Sequence, residues 1–151
     1  MKKRGGRHIQ LKITTDYAVR IILLLSMESR AVSSKEIADK LGMTQNMVLK
    51  VGGNLSDAKI IKSITGVGGG FQLIKEPDEI SLLDVIKITE PTVQINRCME
   101  KDHYCSRTAV NTCQVRKVYS LIQNVLEDSL RNVTFKNLLE DENTKVKGGN
   151  L

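Results

Sequence analysis

Tryptophan is absent from this chain of 151 residues, and phenylalanine and tyrosine together make up only 3 % of it. Stacking of nucleic-acid bases on aromatic side chains is therefore a poor candidate for its chemistry. Long apolar runs are also missing, because the longest, residues 21–25, is far too short to cross a bilayer. No secretory cleavage pattern follows this run, so we expect a cytoplasmic protein with no membrane partner.

Two catalytic patterns are missing as well. The chain shows no nucleophile and base at useful spacing and no pair of catalytic acids. Its glycine-rich segment, residues 66–70, is not a phosphate-binding loop, because no Lys-Ser or Lys-Thr pair follows it. We therefore expect a protein that is not an enzyme.

The composition supports a folded protein with a polyanionic partner. Hydrophobic residues make up 40 % of the chain, enough for one compact domain with an appendage. The formal net charge of +6 favours attraction to polyanions, although charge alone argues only for non-specific binding. Residues 1–11 are basic and contain two glycines, which predicts a flexible arm that is either a disordered tail or a DNA-contacting segment.

The first predicted helix is unusually apolar. Thr14 or Thr15 is expected to cap it, and it runs to about Met27 with apolar residues around most of its circumference. A helix of this kind must be buried from two sides. Its second neighbour is either another layer of the same chain or a second subunit.

A helix-turn-helix is predicted next. Ser33 followed by Glu36 is the pattern of a capping box at the start of a helix that ends before Gly42. Thr44 then caps a third helix that extends to residue 58. Two glycines inside this helix, residues 52–53, indicate either a bend or the close approach of another backbone.

Two short β-branched runs, residues 60–65 and 71–74, flank the glycine-rich segment and predict a β-hairpin. Three helices followed by a hairpin is the order of a winged helix-turn-helix, so residues 12–90 are predicted to form a mainly α DNA-binding domain. A solvated polar face on an ordinary three-helix core is the alternative. The residues predicted to contact DNA are Lys35, Thr44, Gln45, Asn46, Lys50 and Lys62, with Thr65 and Gly66 in the wing.

The rest of the chain predicts a loop and a dimerisation helix. Ser81 is expected to cap a short helix that stops before Pro91, and residues 91–114 form an irregular loop. Residues 115–140 then hold a long amphipathic helix and a short terminal helix capped by Thr134. Residues 141–151 are polar and are expected to be a disordered tail. The apolar positions of the long helix are Val115, Val118, Tyr119, Ile122, Val125 and Leu126.

Three cysteines lie in or at the edge of the irregular loop. Six residues separate Cys98 from Cys105, and seven separate Cys105 from Cys113, so no Cys-x-x-Cys motif supports a zinc ribbon or a thioredoxin-like site. Soft thiolates on a flexible loop suit an iron–sulfur cluster, while redox-active thiols and zinc remain alternatives. The candidates for a fourth ligand are Asp16, His103, a water molecule and a small thiol.

This succession of motifs resembles the Rrf family of bacterial winged-helix transcription regulators, from about Lys12 to Leu139. The resemblance is carried by ITTDYAVR, GVGGGFQL, PDEIS, the three-cysteine loop, the long helix and NVTF. It implies a homodimer that crosses its long helices and places each cysteine loop near the other subunit's first helix. The wing arginine of many relatives is Thr65 here.

The resemblance also implies a ligand set. In the iron–sulfur branch, of the IscR and NsrR kind, three loop cysteines hold a 2Fe-2S or 4Fe-4S cluster, which maps onto Cys98, Cys105 and Cys113. The nitric-oxide-sensing members take their fourth ligand from an aspartate near the start of the partner's first helix, and Asp16 occupies the matching position. IscR-type members use a histidine where this chain has Arg116, so the resemblance favours an NsrR-like site.

Together these observations predict a dimeric transcriptional repressor that binds a palindromic operator in double-stranded DNA. An iron–sulfur cluster that senses nitric oxide, redox or iron status would control this binding. One alternative is a cluster-free regulator that senses redox state through its thiols. Another is a protein-interaction module built on the long helix.

Overall fold

The computed structural model describes residues 10–143 and shows a mainly helical fold with one two-stranded antiparallel sheet. Almost the whole predicted N-terminal arm lies outside these residues. No helix in the described range is long and apolar enough to span a membrane. The elements are α1 (Ile13–Met27), α2 (Ser34–Leu41), α3 (Gln45–Asp57), β1 (Ile61–Ile64), β2 (Gly70–Leu73), α4 (Leu82–Thr89), α5 (Gln114–Asn132) and α6 (Phe135–Asn143), with 3-10 turns at Pro77–Glu79 and Arg97–Met99.

The start of α1 differs from its prediction. Lys12, rather than Thr14 or Thr15, occupies the N-cap position, and its side chain makes no capping hydrogen bond. Thr15 lies inside the first turn, where it is fully buried and donates a hydrogen bond to the Glu90 carboxylate at 2.5 Å. The predicted threonine cap was wrong, because the Thr15 hydroxyl bonds to Glu90, a distant residue whose carboxylate also accepts the N–H of Lys12 at 2.7 Å.

The helix-turn-helix of α2 and α3 follows its predicted caps. The Ser33 hydroxyl accepts the backbone N–H of Glu36 at 3.2 Å, and Thr44 caps α3 in the same way. Gly42 ends α2 with a φ of +64°, a left-handed conformation that glycine adopts without strain. Only half of the predicted capping box forms, because the Glu36 carboxylate pairs with two basic side chains instead.

The predicted hairpin forms and is held against the helices by Phe71. The backbone of Phe71 pairs with that of Val32, and its ring lies against Gly52 in α3. A Cβ atom at Gly52 would lie only 2.5 Å from Cζ of this ring, so the glycine is what permits the contact. The close approach predicted for the two glycines therefore involves a ring rather than a backbone, and α3 continues through both without a break.

The C-terminal helix α6 closes the core. Phe135 is fully buried, and its backbone N–H donates to the carbonyl of Ile80 at 3.0 Å. The Thr134 hydroxyl accepts the backbone N–H of Asn137, as predicted for a cap. The helix runs to Asn143, three residues into the segment predicted to be a disordered tail, and the rest of that tail lies outside the described residues.

Helix α5 packs against α4 along one side, where Lys87 pairs with Glu127 at 3.6 Å, but it leaves most of its apolar residues in solvent. Gln123 is its one buried residue. The Gln123 amide accepts the N–H of Ile95 at 3.0 Å and donates to the carbonyl of Val93 at 3.1 Å, which fixes the start of the cysteine loop to α5. The exposed apolar residues are Val115, Val118, Leu121, Ile122, Val125 and Leu126.

Candidate DNA-reading surface and cysteine loop

The outer face of α3 carries the polar side chains that were predicted to reach DNA bases. Gln45, Asn46 and Lys50 are all exposed, whereas the apolar residues on the opposite side of the helix are buried in the core. The N-terminal end of α3 therefore opens to solvent. This is the end that a helix-turn-helix inserts into the major groove. We call this surface the reading face.

Gln45 is already engaged within the protein. Its Nε2 donates a hydrogen bond to Oγ of Ser34 at 2.8 Å, which joins the N-terminal ends of α2 and α3. The hydroxyl of Thr44 is occupied as the helix cap. Two of the predicted base-reading side chains thus have structural partners, and DNA contact by Gln45 requires exchange of its bond to Ser34.

The remaining predicted DNA contacts are also exposed. Lys35 lies in the first turn of α2, Lys62 lies on β1, and Thr65 and Gly66 lead into the hairpin tip. The tip itself presents Val67, whose side chain is fully exposed, and contains no lysine or arginine. Positive charge therefore reaches a nucleic acid from α2, α3 and β1 rather than from the wing tip.

The three cysteines lie on three separate local structures. Cys98 is in the 3-10 turn at Arg97–Met99, Cys105 is in an irregular turn, and Cys113 is at the N-cap position of α5. All three thiols are free and partly exposed. Among the described residues, no three His, Cys, Asp or Glu side chains come together in a group that could hold a metal ion. One chain on its own does not gather the predicted ligands.

The chemistry of the thiols nevertheless suits a soft metal centre. Backbone hydrogen bonds from Ala109 and Arg107 lower the pKa of Cys105, and the charge of Arg107 and the N–H of Thr108 act in the same direction. The side chain of Cys113 makes no capping hydrogen bond to α5. A thiolate that accepts backbone N–H groups is the kind of donor found around iron–sulfur clusters, so the donor types fit such a cluster.

Arg116 fixes the cysteine loop to α5. Its Nε donates to the carbonyl oxygen of Cys98 at 3.2 Å, and its Nη2 donates to Nδ1 of His103 at 3.3 Å. Within the loop, Arg97 forms a two-pronged ion pair with Asp102. His103, one candidate for a fourth ligand, is thus paired with a guanidinium in this structure.

Asp16 lies in the first turn of α1 and pairs with Arg20, with 2.9 Å between Oδ2 and Nη2. The Asp16 side chain is 44 % exposed, so a group outside its own chain can reach the carboxylate. One residue away, Thr15 donates to Glu90, which also accepts the backbone N–H of Lys12 at 2.7 Å. Glu90 is the last residue before the cysteine loop. It therefore ties the start of that loop to the start of α1.

A family model described as "Rrf2: Iron-dependent Transcriptional regulator" matches residues 11–141. The chain belongs to the Rrf2 family. The HTH-type transcriptional regulator NsrR of Shouchella clausii is 32 % identical to it over 124 residues, covering 81 % of this chain and 78 % of the relative.

Solved structures show the same fold. IscR of T. potens superposes with a TM-score of 0.70 at 21 % identity, covering 96 % of this chain and 97 % of the other. CymR, described as the global cysteine regulator of B. subtilis, superposes with a TM-score of 0.69 at 22 % identity, covering 87 % and 96 %. The predicted winged-helix family and fold are confirmed, and this Rrf2 protein is a transcriptional regulator rather than an enzyme.

Two residues of this Rrf2 chain gained a candidate role only from the structure. Glu90 contacts the start of α1 across 75 residues of sequence, and no local pattern points to that contact. Leu49 is 49 % exposed on the reading face. Its position four residues after Gln45 places the two on the same side of a helix, and this spacing was the available signal.

Proposed function

We propose that this Rrf2 regulator is a cytoplasmic homodimer that represses transcription by binding a palindromic operator. An iron–sulfur cluster on Cys98, Cys105 and Cys113, with Asp16 of the partner subunit as fourth ligand, would control this binding. The observation that carries the proposal is the presence, in one chain, of an exposed reading face and a loop of three free thiols. The family description as iron-dependent and the likeness to NsrR support the same conclusion.

The exposed apolar residues of α5 support the dimer. Val118, Leu121 and Val125 lie on one side of the helix and are 53 %, 67 % and 67 % exposed. Packing a second copy against this side would remove them from water. Each side chain that goes from exposed to fully buried would stabilise the dimer by roughly 1.5–3 kcal/mol. A two-fold dimer also holds two reading faces at a fixed separation, which is what a palindromic operator requires.

A bound cluster would supply a centre that nitric oxide, oxidants or iron shortage can alter. The residues of the chain connect the cysteine loop to the rest of the protein: Arg116 and Gln123 hold it to α5, and Glu90 holds it to α1. Through these contacts, a rearrangement of the loop would reach the proposed dimer helix α5 and the core helix α1, which packs against α3. The state of the cluster can change DNA affinity only to the extent that it favours one arrangement of the two reading faces over another.

Anaerobic purification tests the cluster. We expect a brown protein with visible absorbance, bound iron and bound sulfide. Cys105→Ala should lose the colour, whereas Ser106→Ala, which alters the next residue without removing a thiol, should keep it. A colourless wild-type protein with neither iron nor sulfide contradicts the cluster proposal.

Binding of duplexes selected from a random library tests the DNA-binding part separately. We expect an inverted-repeat sequence whose affinity falls steeply as salt concentration rises, because phosphate contacts release counterions. A protein that enriches no sequence and shows no salt-dependent binding contradicts operator recognition, whatever its iron content.

A cluster-free thiol sensor is the second candidate function. It is favoured by the observation that all three thiols are free and partly exposed, and that backbone hydrogen bonds from Ala109 and Arg107 lower the pKa of Cys105, which raises its thiolate fraction. Such a sensor would contain no iron or sulfide, and mild oxidation would remove its reactive thiols in pairs as a disulfide forms. A change of operator affinity on that oxidation, reversed by a reducing thiol, would establish this candidate.

A further inference from the structure

An apolar side chain stands on the reading face of α3. Leu49 is 49 % exposed, although leucine normally turns toward the core, and the core side of this helix is already filled by Val48, Val51 and Leu55. Its neighbours in sequence on the exposed side are Lys50 and, one turn earlier, Gln45. On a surface that would enter DNA, this side chain can contribute to recognition only through apolar contact.

The surroundings of Leu49 leave its methyl groups accessible. Gly53 lies four residues further along the same side of the helix, and a Cβ atom built there would meet nothing within 4 Å. No side chain at that position therefore covers Leu49 from the C-terminal direction. On the N-terminal side, Gln45 is drawn toward α2 by its hydrogen bond to Ser34.

The wing offers little to share the reading of sequence. The segment between Ser63 and Phe71 contains no lysine or arginine, and its tip is the glycine-flanked Val67. Discrimination between bases therefore falls on α3. Its exposed side chains include Asn46 and Lys50, which suit polar base edges, and Leu49, which suits apolar ones.

We propose that Leu49 recognises thymine by packing against its C5-methyl group in the major groove, beside the base that Asn46 contacts. In the major groove only thymine among the four bases presents a methyl group, and an apolar side chain is the partner that distinguishes it. Exclusion of water from both surfaces gives the contact its selectivity. This inference rests on the proposed binding of DNA through α3 and adds a specificity-determining residue to it.

The test replaces thymine by deoxyuridine, which pairs in the same way and lacks only the methyl group. Sites are first selected from random duplexes with the wild-type protein, and each thymine of the half-site is then replaced in turn. We expect one thymine position, or two adjacent ones, at which the replacement weakens wild-type binding about fourfold per half-site, as for removal of one buried methyl group. In Leu49→Ala, the same replacement should have no effect.

Lys50→Ala is the matched control on the same face. It should weaken binding to all sequences and reduce the salt dependence of affinity, while the penalty for deoxyuridine remains as in the wild type. Thermal melting of Leu49→Ala and Lys50→Ala serves as the folding control, and both should melt near the wild type because both positions are exposed.

Equal deoxyuridine penalties in the wild type and in Leu49→Ala would overturn the assignment of Leu49, even though DNA binding itself stands. The assignment is overturned in the same way if no thymine in the selected site is sensitive to loss of its methyl group. Failure to enrich any sequence would instead remove the proposed DNA-binding function, and the role of Leu49 with it.

Discussion

At the scale of single residues, Gly52 and Gly53 are adjacent in α3 and have different reasons to be glycine. A Cβ atom at Gly52 would lie 2.5 Å from the buried ring of Phe71, whereas one at Gly53 would meet nothing within 4 Å. Gly52 is therefore required by packing between the reading helix and the wing. Gly53 is a position where the helix tolerates a side chain.

This difference gives a paired prediction for stability. Gly52→Ala should lower the free energy of unfolding by about 1–3 kcal/mol, because the ring of Phe71 has to shift. Gly53→Ala should raise it by up to about 1 kcal/mol, because alanine favours the helix. Urea unfolding of both variants beside the wild type checks the pair. Equal effects of the two substitutions would show that the ring contact does not govern position 52.

Glu90 gives a second prediction at this scale. Its side chain is 10 % exposed, and its carboxylate accepts hydrogen bonds from Lys12 N–H and from the buried hydroxyl of Thr15. Glu90→Ala leaves these donors without this acceptor and should destabilise the protein by about 1–3 kcal/mol. Glu90→Gln, which keeps one acceptor oxygen, should cost clearly less. The two variants are compared by chemical unfolding of the metal-free protein, and equal losses would argue against the capping role.

Contacts between residues close in sequence were predicted, whereas contacts between distant residues were not. Ser33, Thr44 and Ser81 were predicted as caps because each acts on a backbone N–H three residues away. The contact at the start of α1 was missed because Glu90, which accepts the hydrogen bond from the Thr15 hydroxyl, is 75 residues away in sequence. Only the folded chain brings these two residues together.

At the scale of elements, a network of charges fixes α2 to the end of α1. Hydrogen bonds from Arg30 and then from Lys40 lower the pKa of Glu36 to about 2, and Glu28 pairs with Lys40 as well. Glu36 lies on the first turn of α2, so its charge also favours the N-terminal end of the helix. The network therefore connects α2, the first helix of the helix-turn-helix, to the segment that follows α1.

The lowered pKa of Glu36 gives a prediction on acid stability. A carboxylate that ionises more readily in the folded protein contributes stability above its ordinary pKa of 4.5, and this contribution is lost as pH falls toward about 2. The difference in melting temperature between the wild type and Glu36→Gln should thus shrink between pH 5 and pH 2. Melting curves across that range check it. A difference that stays constant with pH would exclude an ionised Glu36 as its cause.

The elements themselves were largely predictable. Helix caps and the glycine-rich turn placed α2, α3 and the hairpin within one or two residues, because these signals are local. The length of α6 was underestimated. Its polar last turn has no sequence pattern that separates it from a frayed tail, and the helix still continues to Asn143.

At the scale of the whole molecule, the exposed apolar side of α5 and the separated cysteines both agree with the proposed homodimer. One chain leaves Leu121 and Val125 in solvent and does not gather a metal-binding group among its described residues. Asp16 faces outward from the start of α1. A second copy would cover the apolar side of α5. It would also bring its Asp16 to the three cysteines, as the family resemblance implies.

A charge on α5 tests the dimer. Ile122→Asp should raise the dimer dissociation constant on the order of 100-fold, because an unpaired carboxylate would have to be buried in the interface. Operator affinity should fall with it. Asn124→Asp adds the same charge two residues further along, at an exposed position on the other side of the helix, and should leave both quantities near the wild type. Sedimentation of the three proteins gives the answer, and an Ile122→Asp variant that remains dimeric places the interface elsewhere.

The candidate site was less predictable than the fold, because its parts belong to different elements and, in the proposed dimer, to two chains. The thiols were recognised from residue type and from the irregular loop that carries them. In the proposed site, their arrangement would depend on a partner chain and on a bound cluster, and neither is encoded in local spacing. The bond from Arg116 to the carbonyl of Cys98 likewise spans 18 residues and followed from no pattern.

Native mass spectrometry of the anaerobically purified protein tests the central claim most directly, because one spectrum reports both the number of chains and the bound iron and sulfur. We expect a particle of two chains with one 2Fe-2S or one 4Fe-4S cluster for each chain. Cys105→Ala should give the same two chains without the added mass. A wild-type spectrum that shows only bare chains, whether single or paired, would contradict a cluster-controlled dimer.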